Sequence, residues 1–266
     1  MNRLFFFFRA LVHFRGIIWA MSRRALASQF VGSVLGFVWV VVHPLILIAV
    51  FWVVFGLGFK QKPLNDVPFV AWLTAGLAAW SVFASIISGS VGVVVEHRNL
   101  IKKMAFPSQI LPVVKLIVAL VNHLVLLAVM VILLVYYRIP FSLYIFQFLY
   151  YLLAVLLLGL GMSWGLAALN PFFRDVSHLV QVFIQVGFWA TPIFWELRIL
   201  PEKYHFIEKL NPMFYIVQGY RESFFYAVPF WAHPLQTIYF WGVVLFLLAV
   251  GGNVFRLLKP HFAEVL

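Results

Sequence analysis

Long apolar runs, each broken by a short polar or basic interval, set the pattern of this chain. A helix crosses a bilayer with roughly 20 apolar residues. Runs of that order occupy residues 33–58, 68–95, 110–136, 143–168, 178–195 and 235–257. They predict an all-α integral membrane protein with six transmembrane helices. The first run contains His43-Pro44. Proline removes a backbone donor and restricts the residue before it, so a kink or break is expected there. The fourth run carries Gly159, Gly161, Ser163 and Gly165. Small residues let helix backbones approach closely, and tight packing is the expected role. No strand precedes these glycines and no Lys-Ser/Thr follows, so they are not a nucleotide-binding loop.

Two segments depart from the pattern. In residues 1–30, Arg3, Arg9, His13, Arg15, Arg23 and Arg24 interrupt Phe14, Ile17, Ile18 and Trp19. Several arginines at mid-bilayer would cost about 2.5–3.5 kcal/mol each. An N-terminal amphipathic interfacial helix avoids that cost, and a seventh span is the alternative. In 196–234, Glu196, Arg198, Glu202, Lys203, Glu208 and Lys209 form a polar stretch. Asn211-Pro212 then reads as an N-cap with proline at the first helical position. The run Met213 to Val228 is interrupted by Gln218, Arg221 and Glu222, too short and too charged to span. Two short re-entrant outer helices before the last span fit better.

Composition agrees. The chain is 65% hydrophobic and 10% charged, with mean hydropathy +1.03. A soluble domain carries about 25% charged residues. No stretch remains for a sizeable soluble domain. The net charge of +11 fits positive-inside topology and anionic headgroups, so membrane lipids are the expected partners and nucleic acid is not. With the N-terminus inside, eleven Lys and Arg fall in cytoplasmic segments and seven in outer ones, four of the seven in 196–234. Both termini are therefore expected in the cytoplasm. There is no Cys, which excludes disulfides and thiolate metal sites. Phe5 to Phe8 is too short an apolar run for a cleaved signal peptide.

No catalytic set emerges, and no metal site is expected. There is no His-Glu-x-x-His, no pair of carboxylates within a span, and the eight His are scattered. Acids at mid-span, which ion-coupled carriers use, are missing too. Lys115 lies five residues into the third run and reaches back to the cytoplasmic face by snorkelling. Uphill transport would then need energy from another subunit. The aromatic share is high, with 30 Phe, 10 Trp and 10 Tyr. Most serve interface belts; ring faces also stack on the C–H faces of sugars, so a sugar-polymer path is one reading. The basic interval 96–107, Glu96-His97-Arg98-Asn99-Leu100-Ile101-Lys102-Lys103-Met104-Ala105-Phe106-Pro107, concentrates charge between two spans. It reads either as a solvated positive-inside loop or as the grip of a soluble partner.

Several motifs resemble one family. Gly32-Ser33-x-Leu35-Gly36-x-x-Trp39-x-x-x-x-Pro44-Leu45 resembles the start of the first span in type-2 ATP-binding-cassette polysaccharide exporter permeases, which serve O-antigen, capsule and teichoic acid. Asn99 to Lys103 with Phe106-Pro107 and Ile110-Leu111-Pro112 resembles their segment between spans two and three. Phe173-Arg174-Asp175-Val176-x-His178 resembles the loop before span five. Thr191-Pro192-Ile193, Asn211-Pro212-Met213 and Tyr220-Arg221 resemble their outer region, and Phe262 to Leu266 their ending. The resemblance runs from about residue 19 to the end. Gln29-Phe30 departs from it, since the family often has a basic residue and Tyr there.

The resemblance implies a permease subunit, not an enzyme, in a homodimer with two copies of a cytoplasmic ATP-binding subunit. ATP and Mg would sit in that partner, and no cofactor in this chain. Glu96, Arg98, Asn99, Leu100, Ile101, Lys102, Lys103 and Met104 would form the partner-coupling segment. Arg9, Arg23 and Arg24 would receive lipid-headgroup or substrate phosphate. Tyr215, Tyr220, Arg221, Phe224 and Tyr226 would form an outer gate with sugar-stacking rings. The expected organisation is an interfacial segment 1–30, a transmembrane domain 31–258, the coupling segment 96–107, gate helices 196–234 and a cytoplasmic tail 259–266. The expected substrate is a lipid-linked polysaccharide crossing a bacterial inner membrane, O-antigen above capsule or teichoic acid. The alternatives are a type-2 exporter of a lipid or drug and, in another class, a membrane-embedded lipid-linked sugar or phosphate transferase.

Overall fold

The computed structural model describes residues 12–29, 32–60, 67–103 and 106–266, and these form helices without a strand. In chain order the main helices are α1 (Arg15–Ser28), α2 (Val38–Phe51), α3 (Phe69–Val91), α4 (Val93–Glu96), α5 (Arg98–Lys103) and α6 (Leu111–Tyr136). Then come α7 (Phe148–Leu169), α8 (Asp175–Ala190), α9 (His205–Leu210), α10 (Pro212–Arg221), α11 (Pro234–Leu258) and α12 (Phe262–Val265). Among the described residues, five stretches are long and apolar enough to cross a membrane: Val38–Gly58, Phe69–Val91, Ser108–Tyr136, Leu143–Leu169 and Pro234–Val265. The chain is thus an all-α, multi-pass membrane protein.

The run expected to span at 178–195 folds as α8. Its 16 residues rise about 24 Å at 1.5 Å per residue. That is short of a hydrocarbon core of about 30 Å, yet α8 joins the two ends of the bundle. Beside its start, Phe172 packs against Phe262, and past its end Asn211 Nδ2 donates to Thr191 Oγ1 at 2.9 Å. The break expected at His43-Pro44 does not occur. Helix α2 runs on through Pro44, and the ladder changes only at Trp52–Gly58, a π-helical turn.

Helix α3 is the axis of the fold. Most of its residues are buried, against α6, α7, α8 and α10. Helices α7 and α11 make the closest approach. A methyl group on Gly251 would lie 2.0 Å from the Gly161 carbonyl oxygen, so the glycine-rich face of α7 serves packing, as its composition predicts. Within lipid, apolar burial gives helices little reason to associate, and such backbone contact supplies the dispersion that does. By contrast α2 buries only Ile48 and α8 only Val180.

The amphipathic α1 does not cross the bundle. It lies on the start of α6, with Ile18 against Ile110 and Val114. Around that end collect α4, α5, α12 and most of the cations, and we call it the basic end. The sequence 259–266 is no loose tail: the chain continues as a turn and α12, and Phe262 is fully buried.

Candidate functional site

At the basic end, α3 gives way to two short helices. Gly92 separates α3 from α4, and the His97 ring bonds the Val93 carbonyl at 2.9 Å. Glu96 pairs with Lys115 Nζ at 2.8 Å. Lys115 therefore reaches the basic end, as its position predicts, and ties α4 to α6. Helix α5 carries its charge outward: Arg98, Asn99, Lys102 and Lys103 are exposed. Leu100 is exposed among them. Ile101 turns inward and packs on the main core. Met104 lies outside the described residues. Helix α12 touches α5 from behind. Gln109 supports the same floor, since its side-chain oxygen accepts from Lys259 Nζ at 2.7 Å and its carbonyl from Trp164 Nε1 at 3.1 Å. The result is a firmly seated short helix offering one apolar tip within a ring of cations.

Arg23 and Arg24 are exposed on α1, and Arg9 lies outside the described residues. A recess between α1 and this floor is lined by Arg24, Ser28, Glu96, Asn99 and Lys115. It places the Arg24 guanidinium on the same surface as the Glu96–Lys115 ion pair.

The opposite end holds α9 and α10. The Asn211 side chain accepts from Met213 N at 2.9 Å with Pro212 at the first turn, the cap the sequence predicts. Helix α9 stays outside, with Phe206, Ile207 and Leu210 exposed. Helix α10 inserts between α3 and α7 and buries Met213 to Val217 and Gly219 to Arg221. The chain continues as a π-helical turn to Tyr226. This is the pair of short helices expected in 196–234, with only the second inserted.

The rings expected to stack on sugar are mostly closed inside the protomer. Tyr215 stacks on Phe240 and shares a hydroxyl chain with Tyr150 and Thr237, each at 3.0 Å. Tyr220 bonds His123 Nε2 at 3.2 Å. Phe224 stacks on Phe148. Tyr226 alone of these is half-buried and lines an open recess. Arg221 is buried, stacked over Trp72 at 3.3 Å from the ring centroid, and Nη2 donates to the Ile193 carbonyl at 2.7 Å. A guanidinium over an indole face is held by the ring quadrupole, an attraction that strengthens on desolvation. Arg221 thereby fastens α10 to α3 and to the strap after α8.

That recess, of about 380 Å³, is lined by Trp72, Lys209, Arg221, Glu222, Tyr226 and His233. Glu222 sits 3.1 Å from His233. Burial raises the Glu222 carboxyl above its ordinary range, and His233 opposes the rise. The recess mixes both charge signs with aromatic walls. Among the described residues, no group of three His, Cys, Asp or Glu side chains has the spacing of a metal site.

Trp72, Gln109 and His123 also carry these arrangements, and the sequence did not single them out. Only Arg221 gave a signal, as a charge in an apolar run that requires a partner.

The family pattern described as ABC-2 type transporter matches residues 17–225. A protein of Myxococcus xanthus called O-antigen export system permease protein RfbA is 28% identical over 259 residues, covering 96% of this chain and 97% of that one. Two proteins of Klebsiella pneumoniae with the same description are each 27% identical over 247 residues, covering 92% of this chain and 93% of theirs.

Proposed function

Because this chain belongs to the ABC-2 type transporter family, whose exporters work with an ATP-binding partner, we propose that it is the permease of a polysaccharide exporter. The cargo is a lipid-linked polysaccharide, of the O-antigen kind, carried from the cytoplasm across a bacterial inner membrane. The observation that carries this reading is the likeness, over more than nine-tenths of the chain, to relatives described as O-antigen export permeases.

The basic end faces the cytoplasm in this reading, with both termini there, since the cation bias favours that side. Two copies of the chain form the transporter. Helices α2 and α8 supply the seam, because their apolar faces are left uncovered within one protomer. Each copy seats an ATP-binding subunit under α5, with Leu100 as the buried anchor and Arg98, Lys102 and Lys103 as the charged rim. ATP and Mg belong to that subunit. Arg23 and Arg24 receive phosphate at the headgroup level, from lipid or from the cargo's carrier. Hydrolysis moves α5, and the rigid floor of Gln109, Trp164 and Lys259 passes the motion to α7 and α11. At the outer end α10 acts as the gate: its buried rings give it rigid-body character, and the recess beside Tyr226 and Trp72 is where emerging sugar meets aromatic walls.

Removal of this chain from its host tests the reading. Polymer on its lipid carrier should accumulate inside the cell, and the surface should lose it until the chain is restored. Normal surface polymer in the deletion strain would refute it.

A further inference from the structure

Helix α2 touches both α3 and α6. Near its finish, Phe51 and Phe55 stack on Phe194, with ring centroids 5.6 and 4.6 Å apart. Toward its start it leaves a gap beside α3 and α6. The gap is a cavity of about 440 Å³ whose walls include Gln29, Trp39, His43, Ser85, Asn122 and His123. Its size is within the range of about 300–1,000 Å³ typical of small-molecule sites.

The lining is unusual for its depth. Asn122 and His123 lie in the middle turns of α6 and Ser85 in the last third of α3, where apolar residues are the rule. Polar groups inside a bundle are costly and mark a path or a ligand. Asn122 Oδ1 is buried without a hydrogen-bond partner. Among the described residues, no Lys, Arg, Asp or Glu lines the cavity. Hydroxyl, amide and imidazole groups offer both donors and acceptors without charge, and Trp39 adds a ring face. An anion would find no counter-charge here and an alkyl chain would leave the amides unpaired. A sugar ring meets both demands: its hydroxyls pair with the amides and its C–H face lies on the indole. Gln29 ends the interfacial helix and His123 lies at mid-depth, so the cavity leads from the basic end inward. His123 is also bonded to Tyr220 of α10, which puts an occupant one side chain from the gate.

We propose that this cavity between α2, α3 and α6 is an intramembrane subsite for an uncharged sugar unit of the exported molecule. It rests on the polysaccharide-export reading.

The chain contains no cysteine, so single cysteines are unique labels within it. Ser85→Cys, Asn122→Cys and, as a third wall position, Ser81→Cys would each carry a benzophenone maleimide in cells making the polymer. Leu124→Cys and Ile132→Cys, exposed at 55% and 65%, are controls on the same bundle. After irradiation, sugar-bearing adducts on this chain should exceed the controls by about tenfold at the cavity positions, a difference in occupancy of ~1.4 kcal/mol. A ladder of sizes identifies polymer passing through; one discrete band identifies the sugar of the carrier headgroup; both support the subsite. Phospholipid adducts only, or no sugar adduct above the controls in cells that export normally, would overturn it. Because surface polymer in the deletion strain is scored separately, failure of the subsite is distinct from failure of the export reading. If one labelled variant does not accumulate in the membrane, the other two cavity positions decide.

Discussion

The two ends of the molecule are built on opposite principles. At the end that holds α9 and α10, the outer end of the proposed topology, nearly every notable side chain is spent on this chain itself: Arg221 on Trp72 and Ile193, Tyr220 on His123, Tyr215 on Tyr150 and Thr237. At the basic end the support is internal but the tip is not. Helix α12 touches α5 from behind, while Leu100 and its neighbouring cations face outward. An exposed leucine alone needs no explanation. One at the apex of a braced helix, ringed by positive charge, matches a small docking surface. The contrast teaches that rigidity and availability are separated: α10 is packed to hold its own shape, while α5 leaves its tip uncovered.

The strongest test of that contrast is to overfill the outer end. A methyl group at Gly219 would lie 2.1 Å from Tyr151 Cε1, and the ring has Tyr150, Tyr215 and α10 around it. Gly219→Val should cost at least ~3 kcal/mol and leave little monodisperse protein after detergent extraction. Normal yield and an unchanged melting temperature would mean that α10 is loosely held and the comparison is mistaken. A finer probe is Arg221→Lys. It retains the charge but loses the planar stack and the fixed fork of donors, with an expected loss of about 2 kcal/mol, read as a lowered melting temperature of the purified protein. A neutral result would place the value of Arg221 outside the fold.

At the basic end the same logic predicts the reverse. Leu100→Asp should leave the stability within about 0.5 kcal/mol of the parent, as an exposed substitution does, and the melting temperature nearly unchanged. Activity of the reconstituted complex should nevertheless change. ATPase activity dependent on the permease, and co-purification of the ATP-binding subunit, should fall about tenfold, or ~1.4 kcal/mol. Ile101→Asp is the instructive companion, because Ile101 packs on the core and its loss mixes stability with docking. If Leu100→Asp left docking and turnover intact, α5 would be a solvated loop and the asymmetry would vanish.

How much of this the sequence showed follows from where each signal lives. Apolar run length is local, so five of the expected spans, at 33–58, 68–95, 110–136, 143–168 and 235–257, coincide closely with helices. The Asn211-Pro212 cap is local too. Helix α8 came out shorter than its apolar run because Thr191-Pro192-Ile193 leaves the helix to meet Asn211 and Arg221, contacts that no window of residues contains. Pro44 failed to break α2 because, in the second turn, its missing donor concerns a single carbonyl near the helix start. The gate rings were nameable as aromatic but not as buried. Their exposure depends on α10 inserting between α3 and α7, a tertiary fact. The polar cavity was invisible for the same reason: Gln29, His43, Ser85 and Asn122 are far apart in sequence and each is unremarkable alone.

The smallest predicted effect is the one that separates support from docking at the basic end. Glu96 and Lys115 bond at 2.8 Å, with side chains 52% and 22% exposed. So much contact with water screens the pair, and exposed ion pairs contribute about 0–1 kcal/mol. Glu96→Gln should therefore lower stability by less than ~1 kcal/mol, and by less again in high salt. Its effect on partner-dependent ATPase should be slight beside that of Leu100→Asp, because the amide still hydrogen-bonds Lys115 and α5 keeps its contact with α12. A large loss of turnover with normal stability would transfer Glu96 from the support to the docking rim, and the contact with the ATP-binding subunit would then begin one helix earlier, at α4.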